Sequence, residues 1–164
     1  MAMTQIPRDF LDLFKLLNQH GAKYLLIGGY AVVLHGSNRV TGDMDVFIER
    51  TPENVEAVCR AYHEFGLGRG EISAKDFMED GKMIRAGFEP MRLEILNRIA
   101  GVEFGDCYVN RVEFEVDGVP IQVIGRDDLI ANKLAAGRDK DLGDVRRLTK
   151  GTVNQKNKRN TNRH

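Results

Sequence analysis

Apolar positions along this chain follow two rhythms, one helical and one of strands. Phe10, Leu13, Phe14, Leu16 and Leu17 recur at helical spacing. Pro7 suits a first helical turn and Gly21 a C-terminal stop, so 7–20 reads as an amphipathic helix. Tyr24 to Ile27 is a short, wholly apolar strand, and Gly29 to Leu34 fits a short helix that ends at His35-Gly36. A second apolar strand covers Asp43 to Ile48. Thr51 then serves as N-cap, with Pro52 in the first helical position, for a helix that runs to about Phe65. Residues 66–82 give no single answer: Gly66, Gly68 and Gly70 suggest a mobile loop, and SAKDFMED a turn or short helix.

The second half is richer in strands. Met83 to Phe88 and Arg92 to Leu96 read as strands on either side of Glu89-Pro90. Arg111 to Val116 alternates strictly, Val112, Phe114 and Val116 on one face and Arg111, Glu113 and Glu115 on the other. Asp117-Gly118 is a hairpin turn, and Val119 to Ile124 the return strand, with Pro120 placing its start on an edge. Asp127 and Asp128 open a helix through Ala136 that Gly137 stops. A last helix covers about Asp139 to Leu148, with Leu142, Val145 and Leu148 inward. These elements predict an α/β (α+β) protein: a mixed, mainly antiparallel sheet of about five strands flanked by helices.

Two carboxylates break the apolar pattern of the second strand. Asp43 and Asp45 are one residue apart, so both point to the same face. Same-face carboxylates on an apolar strand are costly unless a cation or hydrogen-bond donors satisfy them. They are therefore candidate metal ligands, and the Gly28-Gly29 pair before the short helix is a candidate phosphate contact. An Asp-x-Asp alone carries little weight, since roughly half of one arises by chance in a chain this size. A second one, Asp139-Lys140-Asp141, sits where acids simply suit the first turn of a helix. Position is what distinguishes the first pair: a strand, following a strand–Gly-Gly–helix unit at short range.

The chain has 164 residues, 42% hydrophobic and 29% charged, which fits one globular domain with a single core. No apolar stretch approaches the length of a membrane span, and MAMTQIPRDF has no secretory pattern. Cys59 and Cys107 are too few for a disulfide scaffold or a zinc site, which points to a reducing cytoplasm. The formal net charge of zero conceals an asymmetry. Residues 150–164 carry five Lys/Arg and no acid, which leaves 19 bases against 24 acids in 1–149. The expected organisation is one domain over 1–149 and a disordered basic tail over 150–164. That tail is either a solvated extension or a contact for nucleic acid; the acidic body argues against a dedicated nucleic-acid face.

The front half of the chain resembles the nucleotidyltransferase superfamily of the DNA polymerase beta type. There a Gly-Ser or Gly-Gly pair precedes a helix and Asp-x-Asp or Asp-x-Glu follows on the next strand, as Gly28-Gly29 and Asp43-x-Asp45 do here. The finer pattern is similar to the AbiEii-like and minimal nucleotidyltransferase proteins of bacteria, many of them toxin–antitoxin or phage-defence components. It runs through Ile27-Gly28-Gly29, Ala31, His35-Gly36, Arg39, Thr41, Asp43 and Asp45. The later run DDLIANKLAAGRDKDLGDVRRL is similar to their C-terminal segment, so the matches bracket 24–148. The resemblance implies a third carboxylate on a later strand. Glu94 fits because it interrupts Leu93, Ile95 and Leu96, although Asp is commoner there. Glu113 and Glu115 lie on a polar strand face that a solvated reading explains.

The same resemblance implies a chemistry. Mg²⁺ or Mn²⁺ would be held by Asp43, Asp45 and Glu94, and an NTP by Gly28, Gly29, Arg39 and Lys133. An acceptor hydroxyl on RNA or protein would attack the α-phosphate, with Glu94 placed to take its proton. For several residues the sequence leaves two readings open. His35 contacts substrate or packs and caps a helix. Arg39 holds a phosphate or ties its loop to an acid. Lys133 approaches the triphosphate or covers the edge of the core, on a helix whose buried side is set by Leu129, Ile130 and Leu134. Arg138, Lys140, Asp141, Asp144 and Arg147 read as local helix-surface pairs and a helix junction. Gly29 replaces the usual Ser, and no clear helical domain follows to recognise a large acceptor; the 66–82 loop, the basic tail or a partner chain would do so. The rival class is a non-catalytic binding module on the same fold, an antitoxin-like partner.

Overall fold

The N-terminal amphipathic pattern becomes helix α1 (Arg8–Gln19), which buries Phe10, Leu11, Leu13, Phe14 and Leu17. Its Phe14 ring lies 5.5 Å from that of Tyr24 on β1 (Tyr24–Ile27) and so docks the helix on the first strand. The protein is described here from a computed structural model, over residues 6–66, 71–88 and 91–161, with 151–161 as backbone only. Gly68, Gly70, the Glu89-Pro90 pair and the end of the basic tail lie outside the described residues. The helix α2 (Gly28–Leu34) follows β1 directly, and β2 (Asp43–Ile48) returns antiparallel to it. The Thr51 hydroxyl caps α3 (Pro52–Glu64) by accepting from the Asn54 N–H at 3.3 Å, as the Thr-Pro pair predicts.

The ambiguous 66–82 stretch contains the short helix α4 (Ala74–Met78), opened where the Ser73 N–H donates to Asp76 at 2.8 Å. The strands β3 (Met83–Ala86) and β4 (Arg92–Leu96) pair antiparallel. A helix without counterpart in the sequence reading, α5 (Phe104–Val109), sets Phe104 edge-on against Phe47 at 5.1 Å. The expected hairpin is β5 (Val112–Val116) and β6 (Val119–Val123), turned by Asp117 and Gly118, both at positive φ. The chain ends in α6 (Arg126–Ala136) and α7 (Asp139–Thr161), separated by Gly137 in the left-handed conformation. No helix among the described residues is long and apolar enough to cross a membrane.

The six strands form one mixed sheet in the order β3-β4-β2-β1-β6-β5, one strand more than the five expected, because both segments beside Glu89-Pro90 join it. The pairs β2–β4 and β1–β6 are parallel; the other three are antiparallel. Burial separates the two faces of the central strands. Met44, Val46, Ile48, Leu93, Ile95 and Ile84 are buried on one face. Asp43, Asp45, Arg92, Glu94 and Arg85 alternate with them on the other.

The last two helices depart from the sequence reading. Leu134 and Leu142, expected to face inward, are 54% and 38% exposed. The inward positions belong to Leu129 and Lys133 on α6, and to Asp141, Asp144 and Leu148 on α7. Apolar periodicity selected the wrong face because the buried stripe of these helices is charged. α7 also continues to Thr161, through the stretch expected to be disordered; Leu148 is its last buried residue among those whose side chains are described. Nothing between Thr149 and Thr161 is a proline, so a helix anchored by Leu148 can propagate one bond per residue.

Candidate active site

Register brings the carboxylates together. In the parallel β2–β4 pair, Asp45 is opposite Glu94 and Asp43 is opposite Arg92. On the other side of β2, Asp45 is opposite Ile27, the last residue of β1. Gly28, which follows, has φ +70°, and a Cβ there would collide with the Asp45 carboxylate. Gly28 is thus required twice, by its backbone conformation and by the close approach of Asp45. The three carboxylates and the glycine turn, far apart in sequence, meet on one face of the sheet.

Each carboxylate meets a different electrostatic environment. Asp43 accepts both arms of Arg92, from Nε at 3.0 Å and Nη2 at 2.9 Å. Glu94 accepts from Arg85, whose Nη2 lies 2.9 Å from its Oε1, while Arg92 Nε is 3.7 Å away. Asp45 has no guanidinium contact among the described residues. Burial first, then the hydrogen bond and charge of Glu94, then the charge of Asp43 push its carboxyl up to about 7, and Lys133 works against them. Its Oδ1 is buried without a hydrogen-bond partner. A buried, unsatisfied carboxylate oxygen beside two further carboxylates is a donor set that suits a hard divalent cation. Among the described residues no three His, Cys, Asp or Glu side chains converge as a ready cage; Arg92 and Arg85 hold Asp43 and Glu94.

The nucleotide-side candidates form a second cluster behind the glycine turn. A Cβ on Gly29 would overlap the Arg39 guanidinium and the Thr41 hydroxyl. The missing serine side chain is thus replaced in space by residues from the following loop. Arg39 Nε reaches Asp144 Oδ1 at 2.9 Å. Lys133 Nζ lies 2.9 Å from Asp144 Oδ2 and 3.3 Å from Asp141 Oδ1. Asp141 and Asp144 are both 0% exposed and Lys133 5%. Arg138 and Arg147 close the network from the surface at 2.6 and 3.1 Å. Burial tends to raise the Asp141 carboxyl, but its hydrogen bond with Arg138 and the charge of Lys133 outweigh that and hold it low.

Asp141 and Asp144 are therefore buried anchors of the α6–α7 junction, which the sequence suggested, and not surface residues, which it also suggested. Lys133 is neither a surface lysine nor free to roam. His35 Nε2 lies 2.8 Å from the Ile124 carbonyl oxygen and its ring packs edge-on against Phe114, which matches the packed reading. The residues that sequence reasoning missed are Arg85 and Arg92. The signal was present: Arg92-x-Glu94 has the same period-two spacing as Asp43-x-Asp45. A separate cavity of about 1010 Å³ is lined by Phe47, Arg50, Asp80, Asn97, Arg98 and Asp128 among others. It includes none of the carboxylate or glycine-turn residues.

Similarity to known proteins agrees with this geometry. The family described as nucleotidyl transferase of unknown function (DUF2204) matches residues 7–163. A protein of Thermotoga maritima described as a nucleotidyltransferase shares 17% identity, over 85% of this chain and 89% of its own, with a TM-score of 0.62. The lincosamide antibiotic adenylyltransferase LnuA, with lincomycin bound, shares 17% identity over 88% of this chain and 96% of its own, with a TM-score of 0.58. An antigenic nucleotidyltransferase-like protein of Paracoccidioides brasiliensis shares 14% over 89% and 77%, with a TM-score of 0.52. At these identities the structures establish the nucleotidyltransferase fold. No similar sequence was found among curated proteins. The family match spans nearly the whole chain, and the chain belongs to that family.

Proposed function

We propose, with membership of the DUF2204 nucleotidyl transferase family as the premise, that this protein moves an NMP from an NTP to an acceptor hydroxyl with the help of a divalent cation. The observation that carries the reading is the Asp45–Glu94 register beside Gly28, with the buried Oδ1 of Asp45 lacking a partner. Asp43, Asp45 and Glu94 would hold Mg²⁺ or Mn²⁺, which when bound supplies charge neutralisation to the phosphate oxygens. The acceptor oxygen would form a bond to the α-phosphorus, the bond to the bridging oxygen would break, and pyrophosphate would leave. Glu94 would accept the acceptor's proton. The Gly28-Gly29 backbone would approach the phosphates closely, and Arg39, stacked over Gly29, would face them from the loop. Lys133 would act on the site through its field, because Asp141 and Asp144 hold its ammonium.

The acceptor would be a hydroxyl on RNA or protein; the likeness to a lincosamide adenylyltransferase adds a small-molecule hydroxyl. We further propose a cytoplasmic enzyme in the toxin–antitoxin or phage-defence setting of the AbiEii-like branch, with 1–149 as the catalytic unit and 150–164 as a basic extension. The second reading, a non-catalytic module acting as an antitoxin-like partner, draws support from one observation: Asp43 and Glu94 are already occupied by arginines. Incubation with each α-labelled NTP, Mg²⁺ or Mn²⁺, and tRNA, lysate protein or lincomycin separates the two. Label transfer that disappears in the Asp43→Ala, Asp45→Ala double variant supports the enzyme. Absence of metal-dependent nucleotide binding sinks it.

A further inference from the structure

Arg92 lies among the carboxylates that would hold a cation. It sits directly across the β2–β4 ladder from Asp43, grips that carboxylate with two arms, and lies 3.7 Å from Glu94. Its side chain is one-quarter exposed, on the open face of the sheet. The planar fork that matches a carboxylate matches a phosphate equally well. With Arg92 on Asp43, a divalent cation can use that carboxylate only by displacing a charge-assisted pair.

We propose that Arg92 is an exchangeable counter-ion: it holds Asp43 while the site is empty and passes to the triphosphate as cation and nucleotide enter. This rests on the nucleotidyltransferase reading of the site. The consequence is coupled loading. A cation alone must break the two-armed Arg92–Asp43 pair with no new anion to repay it. A nucleotide alone finds the Arg92 fork already held by Asp43. Together, the cation takes Asp43 and the phosphate takes Arg92. Such coupling is reciprocal by linkage, so each ligand raises the other's affinity by the same factor. Arg92 is thereby a positioning residue that selects a polyphosphate over a neutral ligand. A plain structural ion pair would predict a different pattern: loss of stability in a variant, with no gain in cation affinity.

Mn²⁺ titration followed by electron paramagnetic resonance tests this, alone and with non-hydrolysable analogues of ATP, GTP, CTP and UTP. In the wild type, Mn²⁺ alone binds weakly and the accepted nucleotide strengthens it by about tenfold or more, the scale of one charge-assisted pair. Arg92→Gln should bind Mn²⁺ alone more tightly than the wild type and lose most of the coupling. Arg92→Lys keeps the charge without the fork and falls between the two, and it decides the matter if the glutamine variant does not fold. Unchanged or weaker Mn²⁺ binding in folded variants, or undiminished coupling, overturns the proposal and leaves the transferase reading standing. A wild type that binds neither Mn²⁺ nor any nucleotide overturns both.

Discussion

Asp45 and Glu94 face each other across the parallel β2–β4 pair, two acids in direct register on one face of the sheet. Acids so placed raise the cost of ionising both together. Burial singles out Asp45, whose carboxyl is pushed up to about 7. Two guanidinium groups, those of Arg85 and Arg92, and the raised carboxyl of Asp45 offset the charge of the three acids.

The Asp45 proton has a measurable consequence for stability. In the unfolded chain Asp45 releases it near the ordinary carboxylate value of about 4. The folded protein keeps it until about pH 7. Between these values the folded state binds more protons, so stability falls as pH rises through that window and the loss is complete above it. In chelator, Asp45→Asn removes this contribution. Its unfolding free energy should exceed that of the wild type at pH 8 by an amount on the order of 2–4 kcal/mol, seen as a higher melting temperature, and match it near pH 4. Equal melting temperatures at pH 8 would place the proton elsewhere.

Restoring the superfamily serine should harm this chain. Gly29→Ser puts a Cβ where the Arg39 guanidinium and Thr41 hydroxyl already sit. Overpacking of this kind costs about 1–3 kcal/mol. In an Arg39→Ala background the same serine has room, so urea unfolding of the double variant should show coupling above about 0.5 kcal/mol. Additive effects would mean that Arg39 is not what excludes the serine.

Lys133→Met tests whether the lysine anchors the helices. It strips Asp141 and Asp144, both fully buried, of their shared ammonium. Arg39, Arg138 and Arg147 stay on the two acids, so the loss should approach but not exceed that of a broken buried pair, about 3–5 kcal/mol, which urea or thermal unfolding would register. A stable variant with only a raised KM for NTP would instead make Lys133 a direct nucleotide ligand.

Glu94→Gln retains an oxygen for Arg85 but has no basic carboxylate. Transfer should fall by about 10²- to 10⁴-fold, the usual yield of general-base catalysis, while circular dichroism stays that of the wild type. Wild-type turnover in this variant would assign the proton to another acceptor.

Local pattern made most of this fold legible. The strand carrying Asp43 and Asp45, the Thr51 cap, the Asp117-Gly118 hairpin and the Gly137 stop are short-range features, and the structure has each of them. What escaped depends on the partner across space. Lys133, Asp141 and Asp144 read as surface residues because charge is normally solvated. They are buried because they neutralise one another across two helices. Arg92 looked like an ordinary strand residue because its significance appears only once β4 lies beside β2. The α5 helix escaped because it is short and lies in a stretch without clear periodicity.

The order of strands sets when chemistry can begin. Asp43 and Asp45 pair with β1 through residues 28–42, a connection that holds α2 and is far shorter than the one to β4. Glu94 and Arg92 arrive after α3, α4 and β3, and the Arg92–Asp43 contact spans 49 residues. Closing so long a segment is entropically late. A chain still growing toward β4 carries an acid pair with neither its third member nor its counter-ions. Glu94 and Arg92 take their places only when β4 lies beside β2, so the carboxylate set is complete only when the central sheet is.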